Sequence, residues 1–583
     1  MRMLHCTARK AVAGLVSGTV LVGTAWAGVG LAPVGDGGQD GPATAPASAA
    51  AEAAAHAVAA DTSTGLTPPD LSGLTAELPD GEFLVGADVG SLAPDPSRWQ
   101  TEGCVRMENQ TYAEAAIDHL HGLSEAQLVT GWPKSPDCVY MGGYGLPGPA
   151  RPATGVDPHA GVNVRSVAIS NGKDTVVWQM VDMVALFNKY RDDLCDRCGI
   201  LDIRRAIEAG TNGKVPASNV AIGSTHTHGG ADGYGIWGGL PSWYRTQLRD
   251  AVVASAYDAL RAMRPATIAI GSVDARAFNN ERRDFYYSTA DYGAVWLHAR
   301  SLPTKKNPKK DSTEPIATLV NYAAHPVVLG AGNTLLHGDW PATAAKALEE
   351  SGGGTGLIFE GGLGNVSPSR PTSGNTDLTG DGTYDHYDKV IEMGRDFAGY
   401  VTADITRGGS GLVDNDVVAA DVTIEHPVTN WAEAGLGVAT LLDRPFLPDD
   451  DAAGPAGRYQ FAKNTPTRSC TTAGPFTVKT QVSGYRIGDL TVLTGPGELF
   501  SNMSEVVKSK ARRNALGGGQ TMVFGQTQDS LGYIIQSFEV DPLGGPAQYV
   551  PESQGEYEET FMLDRCFGDH VLETQLGLIG GLG

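Results

Sequence analysis

Two histidines separated by one residue are the first feature of this sequence that could do chemistry. His226 and His228 follow a short apolar segment at 220–222 and precede a run rich in glycine. Residues two apart in an extended chain project to the same side, and glycines let the backbone approach a ligand closely. The pair therefore predicts a metal or catalytic site, with two histidines in a hydrogen-bonded turn as the alternative.

Further reactive side chains also follow apolar segments that are typical of strands. They are His325 after 316–324, Ser367 after 357–359, Glu498 after 490–493 and Tyr533 after 521–524. Open α/β sheets bind ligands beyond the carboxyl ends of their strands, so we expect these side chains to converge. Histidine and carboxylate together are typical ligands of a catalytic zinc that keeps one position open. Taken singly, Glu498 also fits the first turn of a helix, where its carboxylate suits the helix dipole.

The elements that must position these residues alternate between strands and amphipathic helices. Segments 163–169 and 175–180 predict a hairpin around Asn171-Gly172. Apolar residues recur at helical spacing over 242–263. Strands followed by polar loops and helices predict an α/β fold of mixed β-sheets with flanking helices.

Composition and the N-terminus indicate a globular, exported protein. The chain has 583 residues, of which 41% are hydrophobic, and its net charge of −23 disfavours nucleic acid as a partner. A basic start, an apolar run and the small-x-small pattern of Ala25-Trp26-Ala27 predict a signal peptide at 1–27, with a membrane anchor as the alternative. We therefore expect a secreted protein.

Domain organisation follows from a change in composition. Residues 28–80 are mostly Ala, Gly, Pro, Asp, Ser and Thr, which predicts a disordered linker before one large domain at 81–583. Six cysteines remain after the signal, and an even number in an exported chain suggests disulfides. Fifteen pairings exist. The pairing of nearest neighbours in sequence is the one we favour, namely Cys104–Cys138, Cys195–Cys198 and Cys470–Cys566.

Several motifs, in order, resemble those of the neutral/alkaline non-lysosomal ceramidases. They are MGGYG at 141–145, THTHGG at 225–230, the stretch from Val320 to Pro341 that contains His325 and Asp339, NVSP at 365–368, PGE at 496–498, SLGYI at 530–534 and EYEE at 556–559. The resemblance covers roughly residues 80–570. The chain ends at Gly583 without length for the C-terminal immunoglobulin-like domain of that family, so we expect a single catalytic domain.

The resemblance implies a set of site residues and a reaction. It implies one Zn²⁺ held by His226, His325, Glu498 and Tyr533, with His228 as the general acid/base. It also implies that Arg282 and Tyr557 stabilise the oxyanion, and that Ser367 belongs to the site without a defined role.

The implied activity is hydrolysis of the N-acyl amide of ceramide-like sphingolipids. The alternatives are another amide or ester as substrate, or a lipid-binding module without turnover. We expect a lipid-like small-molecule substrate, at most transient contact with a membrane surface, and no nucleic-acid or protein partner.

One acidic segment resembles a calcium-binding loop. Oxygen-bearing side chains alternate from Asp377 onward, with glycine at the sixth position. The pattern predicts Ca²⁺ at Asp377, Thr379, Asp381 and Asp385. An acidic surface turn is the alternative.

Overall fold

Strands and helices alternate along the chain, and the bounds below come from a computed structural model. It describes residues 65–104, 137–144, 150–283, 290–303, 313–369, 376–430, 442–448, 476–513, 520–540 and 557–582. The predicted signal peptide and residues 28–64 of the predicted linker lie outside the described residues.

The helices and strands are as follows, in chain order. The α-helices are α1 Ile200–Gly210, α2 Ser242–Arg261, α3 Asp339–Glu350, α4 His386–Arg407, α5 Ser501–Arg513 and α6 Phe567–Gly581, and short 3₁₀ turns span Ala217–Asn219 and Tyr557–Phe561. The strands are β1 Phe83–Ser91, β2 Tyr140–Met141, β3 Arg151–Pro152, β4 Gly155–Val156, β5 Asn163–Ser170, β6 Thr175–Val181, β7 Val220–Ser224, β8 Arg264–Asp274, β9 Asn279–Glu281, β10 Gly293–Ser301, β11 Pro315–Tyr322, β12 Leu335–Leu336, β13 Thr355–Glu360, β14 Val366–Pro368, β15 Ser410–Gly411, β16 Val417–Val428, β17 Leu447–Pro448, β18 Phe476–Ile487, β19 Leu490–Thr494, β20 Glu498–Leu499, β21 Thr521–Phe524 and β22 Tyr533–Ile534.

Two mixed sheets form the centre of the described structure. The larger has nine strands in the order β13-β11-β10-β8-β1-β5-β6-β7, with β15 paired to β8. The smaller has five strands in the order β16-β18-β19-β21, with β17 paired to β18. The pairs β6–β7, β11–β13 and β19–β21 are parallel and the other pairs in these two sheets are antiparallel. The predicted class, mixed sheets with flanking helices, is confirmed.

Alternation of side chains along the strands builds the layers. In β5, Val164 and Ala168 pack in a cluster with helix α2, whereas Val167 and Ile169 pack with residues of the smaller sheet such as Tyr485. Successive side chains of a strand point to opposite faces, so one strand can serve two hydrophobic cores. Helices α5 and α6 cover the smaller sheet with a further cluster. The layers therefore run helix, sheet, sheet, helix.

The local elements expected from the sequence are present. Strands β5 and β6 form an antiparallel hairpin in which Gly172 has φ 95°, a conformation that glycine adopts without a steric penalty. Helix α2 buries Leu248, Val252, Ala256 and Leu260, which share one face because they are four residues apart. Among the described residues, no helix combines the length and apolar character needed to cross a bilayer.

The end of the predicted linker belongs to the folded body. Leu71 and Leu74 are buried in the same cluster as helix α2, and the backbone N–H of Leu78 donates to the carbonyl of Asn171 at 2.7 Å. The prediction of a disordered linker is therefore wrong for residues 65–80. The buried leucines of this segment cover apolar surface, which offsets the entropy of ordering it.

The described cysteines are in disulfides. Bonds join Cys104 to Cys138 and Cys195 to Cys198, as the sequence predicts. Cys566 is also disulfide-bonded. Its predicted partner, Cys470, lies outside the described residues.

Candidate metal centre

Three side chains that are far apart in the sequence lie close together, each beyond the end of a strand. His226 follows β7, His325 follows β11, and Glu498 follows the loop after β19. One ligand atom from each lies within 4.8 Å of the other two, and all three side chains are buried. Among the described residues this is the single group of three or more His, Cys, Asp or Glu side chains close enough to share a metal ion. The predicted convergence of these three residues is present.

Backbone carbonyls orient both imidazole rings. Nδ1 of His226 lies 2.8 Å from the carbonyl oxygen of Val184, and Nδ1 of His325 lies 2.9 Å from that of Val366. A carbonyl only accepts hydrogen bonds, so each Nδ1 carries a proton, and in the neutral ring Nε2 then presents its lone pair. His226 also has φ 60°, a costly conformation for a residue with a side chain. The fold imposes this turn at the residue that must face the cluster.

The lone pairs face a carboxylate. Oε2 of Glu498 lies 3.1 Å from Nε2 of His325 and 3.5 Å from Nε2 of His226. Burial would raise the pKa of Glu498, but His226 and His325 outweigh it and hold that pKa well below its usual range. Burial, aided by the charge of Arg282, lowers the pKa of His325 to about 4. An ionised carboxylate therefore lies beside two imidazole nitrogens that can ligate a metal, an arrangement that a bound cation would stabilise.

These distances fit a small tetrahedral metal ion. Zinc bonds of about 2.0–2.1 Å place neighbouring ligand atoms about 3.3–3.4 Å apart. The 3.1 and 3.5 Å separations lie on either side of that value. Each Nδ1–H already has a carbonyl partner, the kind of contact that fixes the ring orientation of metal-binding histidines. The residues present thus fit a bound metal.

His228 lies beside the cluster without belonging to it. Its Nε2 is 3.4 Å from Nε2 of His226, and its Nδ1 is buried without a hydrogen-bond partner. Burial, together with the neighbouring histidines, holds the pKa of His228 well below its usual range, so the ring is neutral at pH 7. A neutral imidazole has one unprotonated ring nitrogen that can accept a proton, which suits the predicted acid/base role.

The MGGYG segment packs against this histidine. The ring of Tyr144 meets that of His228 edge-on at 4.8 Å between centroids. A Cβ on Gly143, which has φ 102°, would lie 2.3 Å from Cγ of His228, so only glycine fits there. Arg151 donates to the carbonyl oxygens of Gly142 and His228 at 2.5 and 2.7 Å and joins the two segments.

Tyr533 and Arg282 adjoin the metal-binding group. Strands β20 and β22 pair in parallel, with Glu498 opposite Tyr533. Nη2 of Arg282 lies 3.1 Å from the Tyr533 hydroxyl oxygen, and the centroids of the Tyr533 and His325 rings are 6.4 Å apart. Both predicted residues are therefore at the site.

The local setting predicted for Glu498 is wrong. Glu498 begins β20, and helix α5 starts only at Ser501. Its carboxylate is therefore not a helix N-terminal group, because the chain pairs with β22 before it turns into the helix. The strand pairing, rather than the helix dipole, positions this side chain.

Ser367 and Tyr557 are placed less directly. Ser367 is in β14, beside the Val366 carbonyl that orients His325, and it is partly exposed. Tyr557 starts the 3₁₀ turn Tyr557–Phe561, and its side chain lies outside what the structure describes. The roles that the resemblance implies for these two residues stay predictions.

Several residues support the site in ways that the sequence did not predict. Besides Arg151, the buried carboxylate of Asp339 accepts from the backbone N–H groups of Val328 and Leu329 and shapes the loop after His325. These contacts join segments far apart in the chain, so spacing along the sequence cannot reveal them.

The predicted calcium loop uses its oxygens locally. Asp377 accepts from the backbone N–H groups of Gly380 and Gly382 at 2.6 and 2.8 Å, and Asp381 accepts from Thr383 at 2.8 Å. Asp385 caps helix α4 by accepting from the N–H of Tyr387. These bonds give the loop a structural role, and Ca²⁺ at Asp377, Thr379, Asp381 and Asp385 stays a prediction.

Comparison with solved structures identifies the same architecture elsewhere. Neutral ceramidase from Pseudomonas aeruginosa superposes with a TM-score of 0.54 at 12% identity, over 86% of this chain and 75% of that chain. A structure described as ceramidase complexed with C2 gives a TM-score of 0.53 at 14% identity, over 86% of this chain and 74% of that chain. No protein-family model and no curated protein matches the chain. The chain therefore has the fold of the neutral ceramidases, which is the resemblance that its motifs predict.

Proposed function

We propose that this protein is an exported, zinc-dependent hydrolase that cleaves the N-acyl amide of ceramide-like sphingolipids into a fatty acid and a sphingoid base. The observation that carries the proposal is the convergence of His226, His325 and Glu498 with a neutral His228 beside them. The fold shared with neutral ceramidases supports the choice of substrate class.

The donor set favours zinc among the common metals. Two imidazole nitrogens and one carboxylate are typical of catalytic zinc, which usually has three protein ligands and an open position. The phenol of Tyr533, held opposite Glu498 by strand pairing, is proposed as a further protein ligand, and the ion would then take the attacking water as a fifth ligand. A bound zinc ion would supply Lewis acidity toward the amide carbonyl and would acidify the attacking water.

The protein's own groups move the proton and hold the charge. His228 would take the proton from the attacking water and return it to the leaving amine, because its ring is neutral and its Nε2 lies beside the metal-binding group, 3.4 Å from Nε2 of His226. Arg282, whose Nη2 is 3.1 Å from the Tyr533 hydroxyl, lies where it can stabilise negative charge on the carbonyl oxygen.

The test uses purified protein stripped with a chelator and reloaded with zinc. The substrates are a ceramide, a simple fatty amide and a fatty ester of the same chain length, and released fatty acid is measured. His228→Ala should keep its zinc and lose about 10²–10⁴-fold in kcat. His159→Ala, at a partly exposed histidine outside the cluster, is the matched control and should retain activity.

Each possible result distinguishes the proposed function from one of its alternatives. Ceramide cleavage that disappears with the chelator and returns with zinc supports the proposal. Cleavage of the amide or ester alone would replace the substrate, and zinc binding with no release from any compound would overturn the hydrolase. Lipid binding without turnover would then favour the non-catalytic module.

A further inference from the structure

Two adjacent arginines meet two adjacent glutamates next to the metal-binding group. Nε of Arg282 lies 3.0 Å from Oε1 of Glu558, and Nη2 of Arg283 lies 3.1 Å from Oε1 of Glu559. Both glutamate side chains are almost completely buried, at 0% and 3% exposure. Buried carboxylates keep their charge only when they are paired, so the two ion pairs hold the 3₁₀ turn Tyr557–Phe561 against the arginine segment.

The two pairs differ in what lies beyond them. Arg282 also uses Nη2 to donate to the carbonyl oxygen of Gly364 at 2.5 Å and to the Tyr533 hydroxyl at 3.1 Å. The guanidinium of Arg283, in contrast, lies 5.1 Å above the Phe500 ring. Arg282 therefore links Glu558 to the phenol of Tyr533, the residue paired with Glu498. The Glu559–Arg283 pair lies against the Phe500 ring.

The planar guanidinium makes this connection directional. Its N–H groups form a rigid fork, so a carboxylate bound at Nε determines where Nη2 points. The backbone N–H of Arg282 donates to the carbonyl of Asn365 at 3.0 Å, which anchors the other end of the residue. With both ends held, the orientation of Nη2 toward Tyr533 depends on the Glu558 carboxylate.

We propose that Glu558 is a positioning residue for the reaction, which acts through Arg282 on the Tyr533 hydroxyl, and that Glu559 stabilises the same turn without this role. The inference rests on the proposed function for its kinetic consequence, but not for its structural one. It distinguishes two neighbouring glutamates that have the same charge, burial and type of partner.

The test compares Glu558→Gln with Glu559→Gln as the matched control, each loaded with zinc. Loss of an orienting partner near a metal typically costs about 10–100-fold in activity. We expect that loss in kcat for Glu558→Gln at nearly unchanged KM, and a change below about threefold for Glu559→Gln. Glu558→Asp keeps the negative charge but moves it one methylene away from Arg282, so we expect a kcat between those of the wild type and Glu558→Gln. This variant tests the inference if Glu558→Gln folds poorly.

Two further measurements separate positioning from general damage. If Glu558 acts through Arg282, the double variant Glu558→Gln/Arg282→Ala should be no slower than Arg282→Ala alone. The visible absorption of the cobalt-substituted protein should shift in Glu558→Gln and stay unchanged in Glu559→Gln, because Glu558 binds the arginine that donates to the Tyr533 hydroxyl, whereas Arg283 contacts the Phe500 ring.

The cobalt spectrum also keeps this inference distinct from the proposed function. The wild type could hydrolyse none of the substrates while the cobalt spectrum changes in Glu558→Gln alone. That result would support the positioning role and refute the proposed hydrolase activity. Equal effects of the two glutamate variants, multiplicative losses in the double variant, or no cobalt uptake by the wild type would each overturn the inference.

Discussion

Replacement of Glu498 by glutamine should destabilise the metal-free protein and remove its response to zinc. Oε2 of Glu498 lies 3.1 and 3.5 Å from Nε2 of His325 and His226. Despite burial, these histidines hold the pKa of Glu498 well below its usual range, so the ionised carboxylate stabilises the folded state at pH 7 and a neutral glutamine loses that contribution. We expect a loss of about 1–3 kcal/mol in the free energy of unfolding without metal.

The same substitution should abolish stabilisation by zinc. A ligand at 100 times its dissociation constant adds about 2.7 kcal/mol to the stability of the folded state. The wild type should show this gain, and Glu498→Gln should show almost none because one of three donors is lost. Urea unfolding with chelator and with excess zinc, monitored by tryptophan fluorescence, measures both changes.

A matched control tells a metal site from an ion pair. Glu559 is equally buried and pairs with Arg283 at 3.1 Å, so Glu559→Gln should cost about 3–5 kcal/mol with or without zinc. If zinc stabilises Glu498→Gln as much as it stabilises the wild type, this carboxylate is not a metal ligand and the metal-centre reasoning is refuted.

Three further predictions concern the surroundings of the site and the fold. Gly143→Ala should lower kcat without loss of metal, because the new Cβ would lie 2.3 Å from Cγ of His228; unchanged kcat would contradict the close packing. Burial raises the pKa of Glu539 to about 7, so the folded state holds its proton where the unfolded state releases it, and stability is lost as pH rises from about 4.5 to 7. Glu539→Gln should therefore be more stable than the wild type at pH 8, by up to about 3 kcal/mol, and equal to it at pH 4, as measured by urea unfolding at both pH values. Leu74→Ala should cost about 2–3 kcal/mol of stability. If stability is unchanged, residues 65–80 belong to the disordered linker and not to the folded body.

Local patterns were sufficient for the elements and for the identity of the main site residues. The hairpin at Asn171-Gly172 and helix α2 depend on turn chemistry and on side-chain period, which are properties of neighbouring residues. His226 and His325 follow strands, and sheets bring strand ends together, so their convergence could be expected. Predictions were weaker where a residue's setting depends on pairing, as for Glu498, which is held by β22 and not by the helix that follows.

The order of polar residues after apolar segments determined, from the sequence alone, which side chains approach one another. Only the tertiary structure decided what they can do there. The carbonyls of Val184 and Val366 set which ring nitrogen of each histidine is bare, and Glu558 sets where Arg282 points. These partners come from distant parts of the chain, and a hydrogen bond depends on distances of a few tenths of an ångström that only the packed fold establishes.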